Sequence, residues 1–413
     1  MDRRRFLQGM AVAGAGLGLG LAGCGSGGDS STAATVASGG GGGGTRKVKL
    51  GFIALTDCAS VVMARELGYF ADRDLDVTIE KQASWPATRD ALLNGQIDGC
   101  HGLYTLPLSV ATGVGGNGSR DLRVAMMLNN NGQAITLAKD LAAAGYGDPA
   151  AAADAIAAKK GASLAMTFPG GTHDLWLRYW LLAGGVDLSS VGIDPVPPPQ
   201  MVQNMSVGNV AGFCVGEPWN AVAVKQDIGF TAIASQDIWE HHPEKALLVT
   251  KRLAEEQPDV TKDLIGAVLQ ASQWLDDPAN RSKAADTLGT EAYVNAPADE
   301  IRGRLTGTYD LGAGLGNRTF EGDQMQFFRG GKVNLPRRAH YIWAATQYQR
   351  MGYLDQAPDA QALADELILT DLYAEAAQAA GVDVPDDDMA PFEVRLDGVT
   401  FDPAHPAEEA TRP

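Results

Sequence analysis

Ser163-Leu-Ala-Met-Thr-Phe-Pro-Gly-Gly-Thr-His-Asp-Leu-Trp176 decides how this chain is read. Ser163 to Thr167 is a short apolar run of strand character, and residues 172–184 carry apolar side chains at helical spacing. Phe168-Pro169-Gly170-Gly171 punctuates the two. A strand entering a helix through a glycine turn is half of a β-α-β unit. The pattern returns at Gly212–Val215, where Gly216-Glu217-Pro218-Trp219-Asn220 leads an apolar strand into a helix. Working outward, strands are expected at 47–54, 75–80, 97–100, 122–128, 134–138, 193–196, 230–233 and 246–250. Helices are expected at 59–70, 86–95, 258–275 and 336–351, with a small hairpin around Leu396-Asp397-Gly398-Val399. This alternation is α/β, with parallel-rich sheets covered by helices. It occurs in two blocks, so two lobes are expected, with a ligand cleft between them at the carboxyl ends of strands. The expected division is 47–140 for the first part of lobe 1 and 141–255 for lobe 2. The chain returns to lobe 1 over 256–402 and ends in a tail, 403–413.

The chain has 413 residues, room for two domains or one split domain at roughly 150 residues each. Hydrophobic content of 45% supports a core. Lys and Arg number 33 against 50 Asp and Glu, a net charge of −17. That excess argues against nucleic acid or an anionic bilayer surface as partner. At first sight it argues against an anionic ligand too.

Residues 1–46 read as an address and a tether. Arg3-Arg4-Arg5-Phe6-Leu7-Gln8 resembles a twin-arginine export signal. The apolar segment that follows, 9–22, is too short and weak to span a membrane. Leu21-Ala22-Gly23-Cys24 resembles a lipobox, so residues 1–23 are expected to be cleaved and Cys24 lipidated. The alternating glycines from Gly14 to Gly20 sit inside this signal and follow no strand, so they are no phosphate loop. Residues 24–46 are a Gly/Ser-rich leash spanning about 25 Å r.m.s.. The expected location is outside the cell membrane, held to its outer face by lipid. Cys58, Cys100 and Cys214 are left over, odd in number and far apart, and read as small buried hydrophobes rather than a disulfide framework.

Several stretches carry polar groups suited to a ligand, each with a bland structural alternative. Gly170 and Gly171 let backbone approach a ligand, Thr172 suits an N-cap, and the amides opening that helix form an anion site. His173 lies in the first turn. If its ring charges, anion binding should tighten as pH falls through about 6.5. The same residues also make an ordinary strand–turn–helix joint. Trp85 follows the second strand with an indole donor, or simply packs. Gln133, in Asn130-Asn131-Gly132-Gln133, offers an amide, or serves a turn. Glu217 suits a cation in the cleft, or a helix start. His241-His242 project differently and have no third spaced ligand, so no metal is expected. There is no G-x-S-x-G, H-E-x-x-H or Walker loop, and no catalysis is expected.

These stretches together resemble the nitrate/bicarbonate solute-binding lipoproteins of ABC importers over about residues 48–400. The resemblance rests on Leu55-Thr56-Asp57-Cys58-Ala59, Ala83-Ser84-Trp85, Asn131-Gly132-Gln133-Ala134-Ile135-Thr136 and Thr167 to Asp174. Pro198-Pro199-Gln200-Met201, Phe213 to Asn220, His242-Pro243-Glu244-Lys245 and Phe328-Arg329-Gly330-Gly331-Lys332-Val333-Asn334 complete it. It implies a two-lobed periplasmic-binding-protein-like fold of type II and an oxyanion held by Trp85, Gln133, His173 and Lys245, to which the helix-start reading adds Gly171 and Thr172. It implies ABC permease and ATPase subunits as partners and no cofactor. In bicarbonate-binding relatives an acidic residue replaces the Lys and calcium is recruited, so Lys245 points to nitrate or nitrite. Glu217 keeps bicarbonate with calcium as an alternative. Binding of an organic sulfonate or pyrimidine precursor, and nitrate sensing, are the others.

Overall fold

The computed structural model describes residues 45–159 and 161–412. The export signal, Cys24 and nearly all of the leash lie outside the described residues. The main strands are β1 (Arg46–Phe52), β2 (Leu75–Lys81), β3 (Gly99–Leu103), β4 (Leu122–Asn130), β5 (Gln133–Ala138), β6 (Ser163–Met166), β7 (Gly192–Pro195), β8 (Gly212–Gly216), β9 (Gly229–Ala234) and β10 (Pro243–Thr250). They form two five-stranded sheets, ordered β2-β1-β3-β10-β4 and β7-β6-β8-β5-β9. β4, β5, β8, β9 and β10 are buried along their whole length, as continuous apolar runs require when helices cover both faces.

The sheets are mixed rather than parallel-rich. β1 runs parallel to β2 and β3, and β6 parallel to β7 and β8. β10 is antiparallel to β3 and β4, and β5 to β8 and β9. The chain changes sheets after β4 and again after β9. A strand arriving from the other sheet is not bound to the helical crossover that parallel neighbours need. For the same reason β5 pairs in the second sheet and β10 in the first, although each falls on the other side of the expected divisions at 140 and 255.

The first change of sheet turns on Asn131 (φ 65°) and Gly132 (φ 97°). A Cβ on Gly132 would lie 2.4 Å from Met325 Cε, so this turn needs glycine for both its conformation and its space.

The helices that periodicity named lie close to where it put them. Residues 172–184 appear as Thr172–Ala183, 258–275 as Pro258–Asp276 and 336–351 as Arg338–Arg350. The first is shorter than 59–70, ending at Glu66 ahead of Gly68 (φ 80°). The helix Trp85–Leu93 has Pro86 in its first turn and is capped by Ser84, whose Oγ accepts from the Ala87 amide at 3.2 Å. The expected hairpin pairs β13 (Phe392–Val394) with β14 (Val399–Phe401), after an earlier one of β11 (Thr308–Asp310) and β12 (Asn317–Thr319). Cys58, Cys100 and Cys214 are buried and free. Among the described residues no helix is long and apolar enough to cross a membrane.

Candidate functional site

Topology brings strand ends of each sheet to the site. β1, β2, β6 and β8 end there, and the antiparallel β5 and β10 begin there. Register fixes the rest: Gln133 opens β5 opposite Gly216 at the end of β8, and Lys245 lies opposite Leu103 at the end of β3. Asp57 follows β1, Trp85 opens the helix after β2, and His173 opens the helix after β6. Asp57, Trp85, His101, Gln133, His173, Glu244 and Lys245 are all fully buried.

Charges hold this cluster together. Lys245 Nζ lies 2.9 Å from Asp57 Oδ2 and contacts Glu244 Oε1. His101 Nε2 is 2.6 Å from Asp57 Oδ1. Glu244 reaches from the first sheet to the second: Thr172 Oγ1 donates to its Oε2 at 2.6 Å, and His173 Nε2 lies 3.1 Å from its Oε1. Thr167 Oγ1 meets His173 Nδ1 at 2.6 Å. The 3.1 Å approach of His173 Nε2 to Glu244 makes no hydrogen bond, so Thr167 is the ring's hydrogen-bond partner. Burial alone would raise Glu244, Asp57 and lower Lys245. Their mutual attraction wins, leaving both acids below and the amine above its ordinary value. His173 goes the other way: burial first, then the Lys245 charge, lowers its pKa. The ring is therefore neutral near pH 7, and the expected tightening of anion binding through about pH 6.5 loses its cause.

Four side-chain nitrogens in this shell, His101 Nδ1 and His173 Nε2 among them, have no hydrogen-bond partner, and two of the four are donors whatever the tautomer. Trp85 Nε1 and Gln133 Nε2 are buried without a hydrogen-bond partner. A buried donor left unpaired costs about 1–3 kcal/mol. The indole lies beside the charges, its ring centroid 5.8 Å from Lys245 Nζ and 5.8 Å from the His101 ring. Gln133 Oε1 faces Cys214 Sγ at 3.7 Å, which leaves the amide nitrogen for another partner. At Gly216 a Cβ would come 3.1 Å from Asp57 Oδ2 and 3.5 Å from His173 Nε2, so glycine keeps the space between the sheets open.

The helix start differs in detail from the sequence reading. Gly171, not Thr172, is the N-cap, and the Thr172 hydroxyl is turned to Glu244. The Gly171 amide donates to Phe168 O at 2.9 Å, and that of Gly170 to Asp174 Oδ2 at 2.7 Å. The amides of Thr172 and His173, which a helix's first turn leaves without intrahelical acceptors, are the ones open to an anion.

Of the expected ligand residues, Trp85, Thr172, His173 and Lys245 come together, with Gln133 and Gly171 adjoining through β8 and the helix start. Glu217 does not join them. Its Oε2 lies 3.4 Å from Arg304 Nε, and burial raises its pKa against that pull. Its backbone serves the site instead, linking the two sheets: Glu217 N donates to Gly132 O at 3.0 Å and Glu217 O accepts from Thr56 N at 2.7 Å. Asp57, His101 and Glu244 were not singled out from sequence. The available signal was chemical: a lysine in a buried strand requires carboxylates near it.

A family model described as NMT1-like matches residues 41–289. The nitrate/nitrite binding protein NrtA of Nostoc sp. (strain PCC 7120) is 39% identical over 380 residues, covering 88% of this chain and 84% of its own. The chain belongs to the NMT1-like family, with the NrtA-type binding proteins. The bicarbonate-binding protein CmpA of Synechococcus elongatus (strain PCC 7942) is 32% identical over 383 residues, covering 87% of this chain and 85% of its own. The crystal structure of the periplasmic nitrate-binding protein NrtA from Synechocystis PCC 6803 superposes with a TM-score of 0.83 at 36% identity, over 89% of this chain and 98% of that one. The NrtA-type fold is thus a periplasmic-binding-protein fold of two mixed sheets with flanking helices.

Proposed function

We propose that this protein is the extracytoplasmic solute-binding component of an ABC importer and that it captures nitrate or nitrite for a permease. It catalyses no reaction and needs no cofactor for capture. Lipid on Cys24 holds it to the outer face of the membrane. The observation that carries the reading is the pair of buried, unpartnered donors, Trp85 Nε1 and Gln133 Nε2, in the shell of a buried ammonium. Nitrate is a planar monoanion that only accepts hydrogen bonds, so the indole, the amide, the Thr172 and His173 amides and Lys245 suit it. The relatives named for nitrate and nitrite support the same ligand.

Asp57 and Glu244 set the limits of that ligand. With one ammonium between two carboxylates the cluster is net negative before a ligand enters, so a dianion such as sulfate or phosphate is disfavoured more than a monoanion. Bicarbonate also brings an O–H that needs an acceptor. The carboxylate oxygens here are turned to His101, Lys245, Thr172 and His173. Site residues with no exposure require the sheets to part for entry, and closure is driven by ligand contacts made only when they meet.

Calorimetric titration of the protein with nitrate, nitrite and bicarbonate, with and without calcium, tests this. Saturable heat with nitrate or nitrite is expected in calcium-free buffer. Heat with bicarbonate alone, and only with calcium, would replace the ligand.

A further inference from the structure

A second polar cluster lies where both changes of sheet meet. Glu240 and His241 sit between β9 and β10, and Asp323 comes from the segment after β12. One ligand atom from each falls within 4.8 Å of the others. His241 Nδ1 is 2.8 Å from Asp323 Oδ1, yet it makes no hydrogen bond. Asp323 is only 7% exposed and its Oδ2 has no hydrogen-bond partner; the nearest cation, Arg395 Nη1, is 3.9 Å away. A buried carboxylate oxygen in that state points to a missing cation.

The cluster is tied to the crossing segments. Asn131 Nδ2 donates to Asp323 Oδ1 at 2.7 Å, and Asn130 Nδ2 to His241 O. Asn131 N donates to His242 O at 3.1 Å. Adjacent histidines diverge here, as the sequence suggested. His242 turns inward to Ser235 Oγ at 2.8 Å, and His241 turns outward, with 30% of its side chain exposed. The third ligand that sequence spacing could not supply comes from Asp323, far along the chain.

We propose that Glu240, His241 and Asp323 bind a divalent metal ion of the zinc class, outside the anion site and against both sheet crossings. One neutral imidazole and two carboxylates balance its charge and leave coordination positions for water. Side-chain exposures of 48% at Glu240 and 30% at His241 provide the entry path. Arg395 is the competitor. It pairs with Glu240, donates to Gln236 O at 3.2 Å, and is 42% exposed.

Chelator-treated protein titrated with zinc chloride tests the site, with a nitrate titration of the same sample kept separate. One equivalent of zinc should bind. Asp323→Asn, which keeps an acceptor for Asn131, should weaken zinc at least about ten-fold. His241→Asn should do the same, asparagine being chosen because His241 has φ 58°. Arg395→Gln should tighten zinc by removing the rival cation. Absence of saturable zinc binding, affinity unchanged in both ligand variants, or binding of calcium but not zinc would each overturn the site. None of these outcomes touches nitrate capture.

Discussion

Trp85 separates binding from folding at the residue scale. Most buried donors are tied into the structure, so their loss confuses stability with affinity. The Trp85 indole N–H has no partner within the protein. Trp85→Phe keeps most of the ring packing and removes that donor. Nitrate affinity should fall roughly ten-fold, the loss of one charge-assisted bond, with little change in melting temperature. A variant that melts much lower but binds as tightly would make Trp85 a packing residue. Lys245→Ala should behave differently: it strands Asp57 and Glu244, so about 3–5 kcal/mol of stability should go together with nitrate binding. The contrast between the two is measurable by denaturant titration and calorimetry. Trp85, Gln133, His173 and Lys245 were legible through motif resemblance. Asp57, His101 and Glu244 were not, because a buried ion network is a matter of three-dimensional proximity. Lone acidic residues in a −17 chain look like solvated surface.

The same network sets a pH response. His173 is packed by Thr167 and faces Glu244, Lys245 and Asp57. Its lowered pKa means the unfolded chain binds that proton more readily, so stability falls as pH drops below about 6.5. Asp57 and Glu244 also have lowered values. Their contribution is present above about pH 4, the unfolded carboxylate range, and is lost as pH falls further. All three act in one direction. Urea unfolding midpoints should decline as pH falls below about 6.5, through His173 and the likewise lowered His242 and His340, and again below about pH 4 through the carboxylates; a flat profile between pH 6.5 and 4.5 would contradict the lowered imidazoles.

At the scale of elements, hydrophobic period and glycine punctuation revealed the ten main strands and the longest helices, but did not delimit shorter helices such as Leu106–Ala111, Pro149–Ala158 and Pro278–Leu288 or the β11–β12 hairpin. Strand direction was hidden. A continuous apolar run such as β5 or β10 reads the same whichever way it lies and whichever sheet it joins. Direction depends on the two sheet changes, whose sequence signal is only Asn131-Gly132 at one and an irregular stretch before Pro243 at the other. That dependence makes Gly132 a sharp test. Gly132→Ala would strain φ at 97° and push into Met325, costing about 1–3 kcal/mol. Adding Met325→Ala should recover the steric share but not the backbone share, as melting curves of the single and double variants would reveal. Full recovery would mean that the backbone accepts this turn without glycine. Gly216→Ala tests the facing element: its Cβ would sit between Asp57 and His173, so nitrate affinity should drop while the sheet pairing of β8 survives.

At the scale of the whole molecule, the net charge of −17 and the proposed anionic ligand oppose each other only during approach. The surface field reaches about 10 Å at 0.1 M salt, and it repels nitrate from solution. In the proposed binding mode the ligand meets Lys245 with its flanking Asp57 and Glu244, the helix amides and two neutral donors, in a buried site where screening by salt is weak. Composition therefore reports on encounter, and a handful of local groups report on capture. The two can be separated kinetically. In stopped-flow measurements of intrinsic tryptophan fluorescence, the association rate for nitrate should rise as sodium sulfate is increased, because repulsion is screened. The dissociation rate should stay nearly constant, because the buried contacts are not. An association rate that falls with salt would mean that the entrance carries a local positive field strong enough to outweigh the acidic body, and the charge of the whole chain would then say nothing about how the ligand arrives.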